Sequence, residues 1–328
     1  MPERASIFQV CQIGVEVTPG TGVAANKLLR SISIDPGVQS DVSLFRATGN
    51  KFPSVGSLNK EWIQAKLSGA LTYTEIIYVL SSIMSYAAPV QQGATTAYKW
   101  THTIDTDGPD TVKTFTVEQG SSVRAHKFDY GLVTALELMF SRSGIEVGGQ
   151  MIGQTFTDGG AMTGGPSEIA LVPVMPPQVN IQLATTAAGL AAATPLNRVI
   201  SAGWSLSDRF GPLWALLRSA GYSFPATVET EPKQQIKLTV QADSEGMAFL
   251  TDLRDQDTGF IRIDAVGATI DAPYTYQFIL DMAYKVGGLS EFKDEDGVFA
   301  VEWTLDAVHD ATWGKSCQVE VTNAITAL

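Results

Sequence analysis

Cysteine and histidine are scarce in this chain. Among 328 residues there are two cysteines, Cys11 and Cys317, and three histidines, His102, His126 and His309. The cysteines lie near opposite ends and neither belongs to a Cys-x-x-Cys pair, so no zinc framework can be assembled from this set. Both read as small apolar packing residues of a reducing compartment. No histidine has a Ser or Cys beside it in a nucleophile elbow, so all three read as hydrogen-bonded surface residues among strands. Charge is also thin: 17% of residues are charged, against about 25% in ordinary globular chains. Basic residues number 22 against 34 acidic ones, a net charge of −12. That excludes a protein that grips nucleic acid through Lys and Arg on phosphates. It leaves open one that stays close to DNA without holding it. Long apolar runs are missing too. The longest, Ile76 to Val90, is broken by Ser81, Ser82, Ser85 and Tyr86, too short and too polar to span a bilayer. Met1 to Gln12 has no basic stretch leading into an apolar one, so no secretion signal is read there. The expectation is a cytoplasmic protein until it assembles.

What is present points to order. Apolar residues make up 45% of the chain, which excludes general disorder. The length suits about two domains. Gly153 to Pro177 holds Gly159-Gly160, Gly164-Gly165-Pro166, Pro173, Pro176 and Pro177, a loop composition. The expected division is an N-terminal domain over 1–155, a Gly/Pro-rich linker over 156–177 and a C-terminal domain over 178–328. The halves share ordered similarities. Lys60 to Leu67 resembles Lys233 to Val240, and Thr74-Glu75 resembles Ser244-Glu245, each before an apolar run. Ile104 to Gly108 resembles Ile263 to Gly267, and Ala135 to Leu138 resembles Ala300 to Trp303. Four matches in one order favour an internal duplication, with Glu137 and Glu302 on matching strands.

Within each half the dominant period is two. Phe299, Val301, Trp303, Leu305 and Ala307 alternate with residues such as Glu302, Thr304 and Asp306. Cys317, Val319 and Val321 alternate with Gln318, Glu320 and Thr322, and Ile63, Ala65 and Leu67 with Gln64 and Lys66. This is the pattern of antiparallel strands with one dry and one wet face. One helix per half is expected, over Ile76 to Met84 and Met247 to Leu253, capped by Thr74 and Ser244 with a Glu next to each cap. Phe210 to Ser219 reads as a further short helix or a buried strand. The fold class is therefore mainly β: two tandem similar domains, each a β-sandwich or barrel with one flanking helix.

No catalytic set emerges. Gly314-Lys315-Ser316 lacks the first glycine of a phosphate-binding loop, since His309 stands there. Asp105 to Gly108 and Asp294 to Gly297 resemble pieces of a calcium loop without its spaced ligands and read as tight turns. The chain is not read as an enzyme, and no cofactor or metal is expected.

Val15-Glu16-Val17-Thr18-Pro19-Gly20-Thr21-Gly22-Val23-Ala24-Ala25 resembles the Glu-x-Thr-Pro-Gly-Thr opening of phage tail tube proteins. Phe45 to Gly49, Lys60-Glu61-Trp62, Gly69 to Tyr73 and the strand Phe299 to Asp310 are also similar to that family. The likeness is most detailed over residues 12–84. The second half has Gln182-Leu183-Ala184-Thr185-Thr186 where the opening motif would fall. The resemblance implies a structural virion protein of a long-tailed bacteriophage, assembled in the host bacterial cytoplasm. Its sheets would join edge to edge into a β-barrel, and its rings would stack through a long loop. A two-domain subunit implies a trimeric, pseudo-sixfold ring. The implied partners are other copies, tape-measure, tail-tip and terminator proteins, and phage DNA passing through the lumen during ejection without specific binding. No membrane is involved.

On this reading the polar faces carrying Glu137, Glu302 and Asp306 line an acidic lumen, with an outward, solvent-facing placement as the alternative. Asn26 to Gly56 and Pro195 to Phe224 are expected to make contacts between rings, through Phe45, Phe52 and Trp214, all exposed in a lone subunit. The competing readings are a tail terminator, a capsid decoration protein, or a carbohydrate-binding β-sandwich using Trp62, Trp100 and Trp303.

Overall fold

The computed structural model describes residues 8–121, 124–216, 221–295 and 297–328. The alternating segments are strands, and the fold is mainly β. The first half contains β1 (Val10–Val15), β2 (Lys27–Leu29), β3 (Ile32–Phe45), β4 (Val55–Ala70), helix α1 (Ile76–Ile83), β5 (Val90–Gln91) and β6 (Tyr98–Thr103). It continues with β7 (Phe115–Gly120), β8 (Ala125–Ser141), β9 (Gly144–Gly153), β10 (Phe156–Gly160) and β11 (Ser167–Glu168). The second half contains β12 (Val179–Ala184), β13 (Val199–Ser207), β14 (Phe210–Leu213), β15 (Ala226–Glu229), β16 (Lys233–Gln241) and helix α2 (Phe249–Asp255). It ends with β17 (Gly259–Asp271), β18 (Tyr274–Leu289), β19 (Lys293–Glu295), β20 (Val298–Ala307) and β21 (Cys317–Asn323).

Strand pairing shows that the halves repeat one topology. In the first, β3–β4–β9–β8 form one antiparallel layer and β2–β1–β7–β8 a second, β8 being long enough to pass between them. In the other half, β13–β16–β20–β18 and β12–β17–β18 do the same. Even the irregularities coincide. A bulge between Val133 and Ala135 interrupts β8 against β9, and one between Val286 and Gly288 interrupts β18 against β20. Such bulges bend a strand, and both sit where the long strand leaves one layer for the other.

The register corrects the residue matches made from sequence. Ala65, not Ile63, is the counterpart of Ile236, a shift of two that keeps the same face. β20 corresponds to β9 rather than β8, so Glu302 corresponds to Gly148 and not to Glu137. Ile104 to Gly108 is a loop, where Asp105 accepts the backbone N–H groups of Asp107 and Gly108.

The expected linker is not one. β10 pairs with β8 and β11 with β2, while Ile169 and Val174 are buried in the common core. The halves are also joined directly. Leu136 to Ser141 of β8 pair with Ser201 to Leu206 of β13. One sheet therefore runs β3–β4–β9–β8–β13–β16–β20–β18 through the whole chain, and one hydrophobic cluster spans both halves. β6 of the first half also extends the second through β21.

Helix α1 is buried on every side because β8, β6 and the segment before β7 cover it, the N–H of Lys113 donating to the Ser81 carbonyl at 2.8 Å. Its Ser82 Oγ accepts the N–H of Val133 at 2.9 Å, at the β8 bulge. Glu75 does not act on the helix dipole as expected. It is fully buried, and its carboxylate turns back to accept the N–H groups of Arg30 (2.6 Å), Ser31 (3.0 Å) and Ile32 (2.9 Å). Burial pushes its pKa up, against the pull of those three donors. Before α2 it is Asp243, not Ser244, that accepts backbone N–H groups, those of Glu245 and Gly246. Phe210 to Leu213 is a strand of the β14–β15 hairpin, and residues 217–219 of the expected element lie outside the described residues.

Candidate assembly edges and inner face

Residues opposite one another on neighbouring strands share a face. One row crosses all eight strands of the common sheet: Ser33, Ser68, Gly148, Glu137, Ser205, Gln235, Asp306 and Lys285. A second row holds Glu146, Met139, Gly203, Lys237, Thr304 and Gly288. A third holds Ser141, Ser201, Thr239 and Glu302. Small and polar side chains dominate, and an open hollow of about 800 Å³ lies over the face where the halves join. The other face is dry: Leu67, Leu136, Trp204, Ile236 and Leu305 are all buried.

Glu137, Glu302 and Asp306, chosen from sequence, do share the polar face. That face carries bases as well as acids. Lys66, Lys237 and Lys285 stand among the carboxylates, Lys285 opposite Asp306, and Lys293 Nζ lies 3.7 Å from Glu302. The period-two pattern reports which side chains share a face, but not which charges meet across strands.

Both lateral ends of this sheet are open. Among the described residues, β3 pairs only with β4, and the last residues of β18 pair only with β20. Unpaired edge groups are a template for another strand. The side chains agree. At the internal junction Leu136 and Leu206 face each other and are 1% and 0% exposed. The topological repeat places Leu289 where Leu136 stands and Val38 where Leu206 stands, and these are 37% and 48% exposed.

β4 leaves β9 at the Ile63–Gly153 pair. Beyond it β3 and β4 continue alone as a two-stranded arm, with Phe45 paired to Val55. Six residues of β3, Ser40 to Phe45, carry it about 20 Å. Its apolar residues Val42, Leu44, Phe45, Phe52 and Val55 are each more than half exposed, and an isolated ribbon has no core of its own. Phe45 and Phe52 thus sit where expected. Trp214 does not: it is half-buried at the base of the arm. Its ring lies edge-on to Trp62 at 5.5 Å and to Phe224 at 5.9 Å, with Lys60 Nζ 4.9 Å above it. The N–H of Glu61 also donates to the carbonyl of Tyr222 at 2.8 Å. The β14–β15 region braces the arm rather than projecting as a second one.

Glu16 explains the opening motif. It is 3% exposed and accepts from Gly20 N (2.8 Å), Thr114 Oγ1 (2.7 Å), Thr116 Oγ1 (3.1 Å) and Tyr130 N (2.9 Å). Gly20 lies at φ +76° and Tyr130 at φ 58°. The carboxylate thus holds the Thr-Pro-Gly turn and a left-handed corner of β8 together, a conformation that costs a non-glycine residue free energy unless its surroundings fix it. Trp100 and Trp303 are fully buried and Trp62 is covered by Trp214, so these three form no exposed platform for a sugar ring.

Sequence reasoning missed Arg209. Only 2% exposed, it bonds the buried carboxylate of Asp110 through Nη2, and donates from Nε to the Ile83 carbonyl at the end of α1 at 3.1 Å. Asp208-Arg209 in sequence looks like a solvated turn. Only the tertiary fold shows the arginine reaching from the second half into the first.

Among the described residues no helix is long and apolar enough to cross a membrane. No protein-family model matches the chain, and no curated protein matches it significantly.

Proposed function

We propose that the chain is a ring-forming structural subunit whose common sheet closes with that of other copies into a barrel, and that stacked rings make the tube of a bacteriophage tail. One observation carries this reading. The chain already contains one junction between repeated units, β8 with β13, and its two open edges are the matching halves of the same junction. Carrying that register through the repeat puts Val38 of one copy opposite Leu289 of the next, and Gly37 opposite Ser290. The half-exposed Val38 and Leu289 would then be covered as Leu206 and Leu136 are. A contact between two different surfaces closes into a ring when its rotation closes. Closure also removes the exposed edges.

Three copies, the number implied by the tail tube resemblance, would give roughly 24 strands. At a spacing of about 4.8 Å and tilts up to about 40°, the barrel would be some 37–48 Å across between backbones. The polar face with Glu137, Glu302 and Asp306 would line it. Short polar side chains with carboxylates slightly in excess would give phosphate little to hold, so DNA would slide rather than bind. Tape-measure, tail-tip and terminator proteins would be the other partners, and the virion tail the final location. No catalytic role or cofactor is assigned.

Negative-stain electron microscopy of the purified protein tests the proposal. The expected images are tubes with end-on views of a closed, six-lobed ring around a channel. Single rings that never stack would favour a tail terminator. A protein that remains monomeric at high concentration, with no ring in any view, would overturn the reading.

A further inference from the structure

The arm and the β19–β20 turn lie at opposite ends of the common sheet. Along any row, β3 runs toward the arm as β20 runs toward Ala307, while β20 begins at the turn after Glu295. Copies stacked head to tail bring the arm of one against the turn end of the next. That end carries two equivalent tips, because the β8–β9 turn and the β19–β20 turn are counterparts in the repeat. Their chemistry is opposite. The first is Ser141-Arg142-Ser143-Gly144, with one positive charge and no large apolar side chain. The second presents Phe292 and Phe299, stacked at 4.8 Å with 10° between rings and 48% and 62% exposed. Val298 extends the apolar patch, and exposed Glu291 and Asp294 border it, the exposed Lys293 between them being paired with Glu295 at 2.9 Å.

The arm tip, Phe45 to Val55, is the complement. It carries Arg46 and Lys51, both exposed, and no acidic residue, within a chain of net charge −12. Neither cation has an ion-pair partner among the described residues, and exposed Phe45 and Phe52 flank them.

We propose that the arm of one copy docks on the Phe292–Phe299 platform of a copy in the adjacent ring, with Arg46 and Lys51 meeting Glu291 and Asp294. Arg142 makes the equivalent β8–β9 tip repel the arm. The occupant is thus a second copy of this chain. Each copy has one arm and one acceptor, so three arms in a trimeric ring would select three of six equivalent tips. This rests on the ring-forming reading above and assigns its stacking contact. Charge pairs at a rim fix register and reject the wrong site, while the aromatic side chains are the residue type that dominates such contacts.

A charge-swap experiment tests it. R46E/K51E and E291K/D294K are purified separately and together and imaged by electron microscopy, with circular dichroism and thermal melting of unassembled subunits as the folding control. Each double variant alone should form rings but shorten tubes at least tenfold, and the mixture should restore co-assembled tubes of normal length. Normal tubes from either variant alone would overturn the docking assignment and leave the ring-forming reading standing. So would loss of tubes in both without restoration, given folded subunits. As a second probe that keeps the charge of the tip, F299S should also shorten tubes, and unchanged length would count against the platform. Absence of rings from the unaltered protein would instead refute the underlying reading.

Discussion

Replacing Arg209 with methionine should show how firmly the halves are fixed to each other. The guanidinium is 2% exposed and its partner Asp110 is 1% exposed. Methionine keeps much of the volume but leaves the carboxylate of Asp110 and the carbonyl of Ile83 without their donor. Asp110 would retain only the N–H of Asp105 at 2.9 Å. Breaking a buried pair from one side costs about 3–5 kcal/mol, because a charge is left unpaired away from water. With a urea slope of about 3 kcal/mol/M, the unfolding midpoint should fall by roughly 1–1.7 M. The transition should remain single, since one sheet and one hydrophobic cluster run through both halves. In R209M/D110N no buried charge is left unmatched, so part of the loss should return and a double-mutant cycle should give a coupling of at least 1–2 kcal/mol. A single-variant cost below about 1 kcal/mol, or additive effects, would refute the idea that this pair clamps the halves.

Three further outcomes follow from particular groups. E16A should leave the N–H groups of Gly20 and Tyr130 and the hydroxyls of Thr114 and Thr116 without their acceptor, lowering stability in chemical denaturation by about 3 kcal/mol or more. His102 is fully buried, and burial pushes its pKa down to about 4 from 6.5. Above pH 6.5 the ring is neutral in both folded and unfolded chains. As pH falls through that value the unfolded chain takes up the proton first, so stability should be lost between about pH 6.5 and 4, by up to about 3 kcal/mol from this group. Melting curves of H102L should show a flatter dependence across that window. Deleting residues 40–56 leaves Gln39 to face Trp62 across a loop of Ser57 to Glu61 and removes nothing from the core. Circular dichroism should report folded subunits, and electron microscopy should show rings without tubes.

The mainly β fold was legible because strands such as Val301 to Leu305 and Cys317 to Val321 alternate cleanly and their inward residues are buried, although Phe299, in phase with the first of them, is exposed. The same period puts Glu302 and Asp306 on one face, but Glu137 joins that face only through the strand pairings, which period alone does not give. The equivalence of strands was not legible either, because β8 and β18 each serve two layers and carry bulges that a residue-by-residue comparison cannot place. Glycine and proline between 156 and 177 read as a linker, since composition does not reveal that β10 and β11 find partners in the first half. Trp214 read as exposed because much of its cover, Trp62, comes from the other half of the chain. The open edges were invisible because an edge is a strand with no neighbour on one side, and only the full set of pairings shows which strands those are.

Cysteine cross-linking between copies tests the central claim most directly. Both native thiols are buried, and burial pushes each up to about 12, so they stay inert while introduced pairs react. S205C/E137C, opposite one another on β13 and β8, should close within one chain as a positive control. V38C/L289C should instead link different copies, giving covalent dimers and a closed trimer under mild oxidation, since directly opposed residues fall within disulfide reach. If the control closes while V38C/L289C yields only monomers in assembled material, the internal junction is not the one repeated between copies.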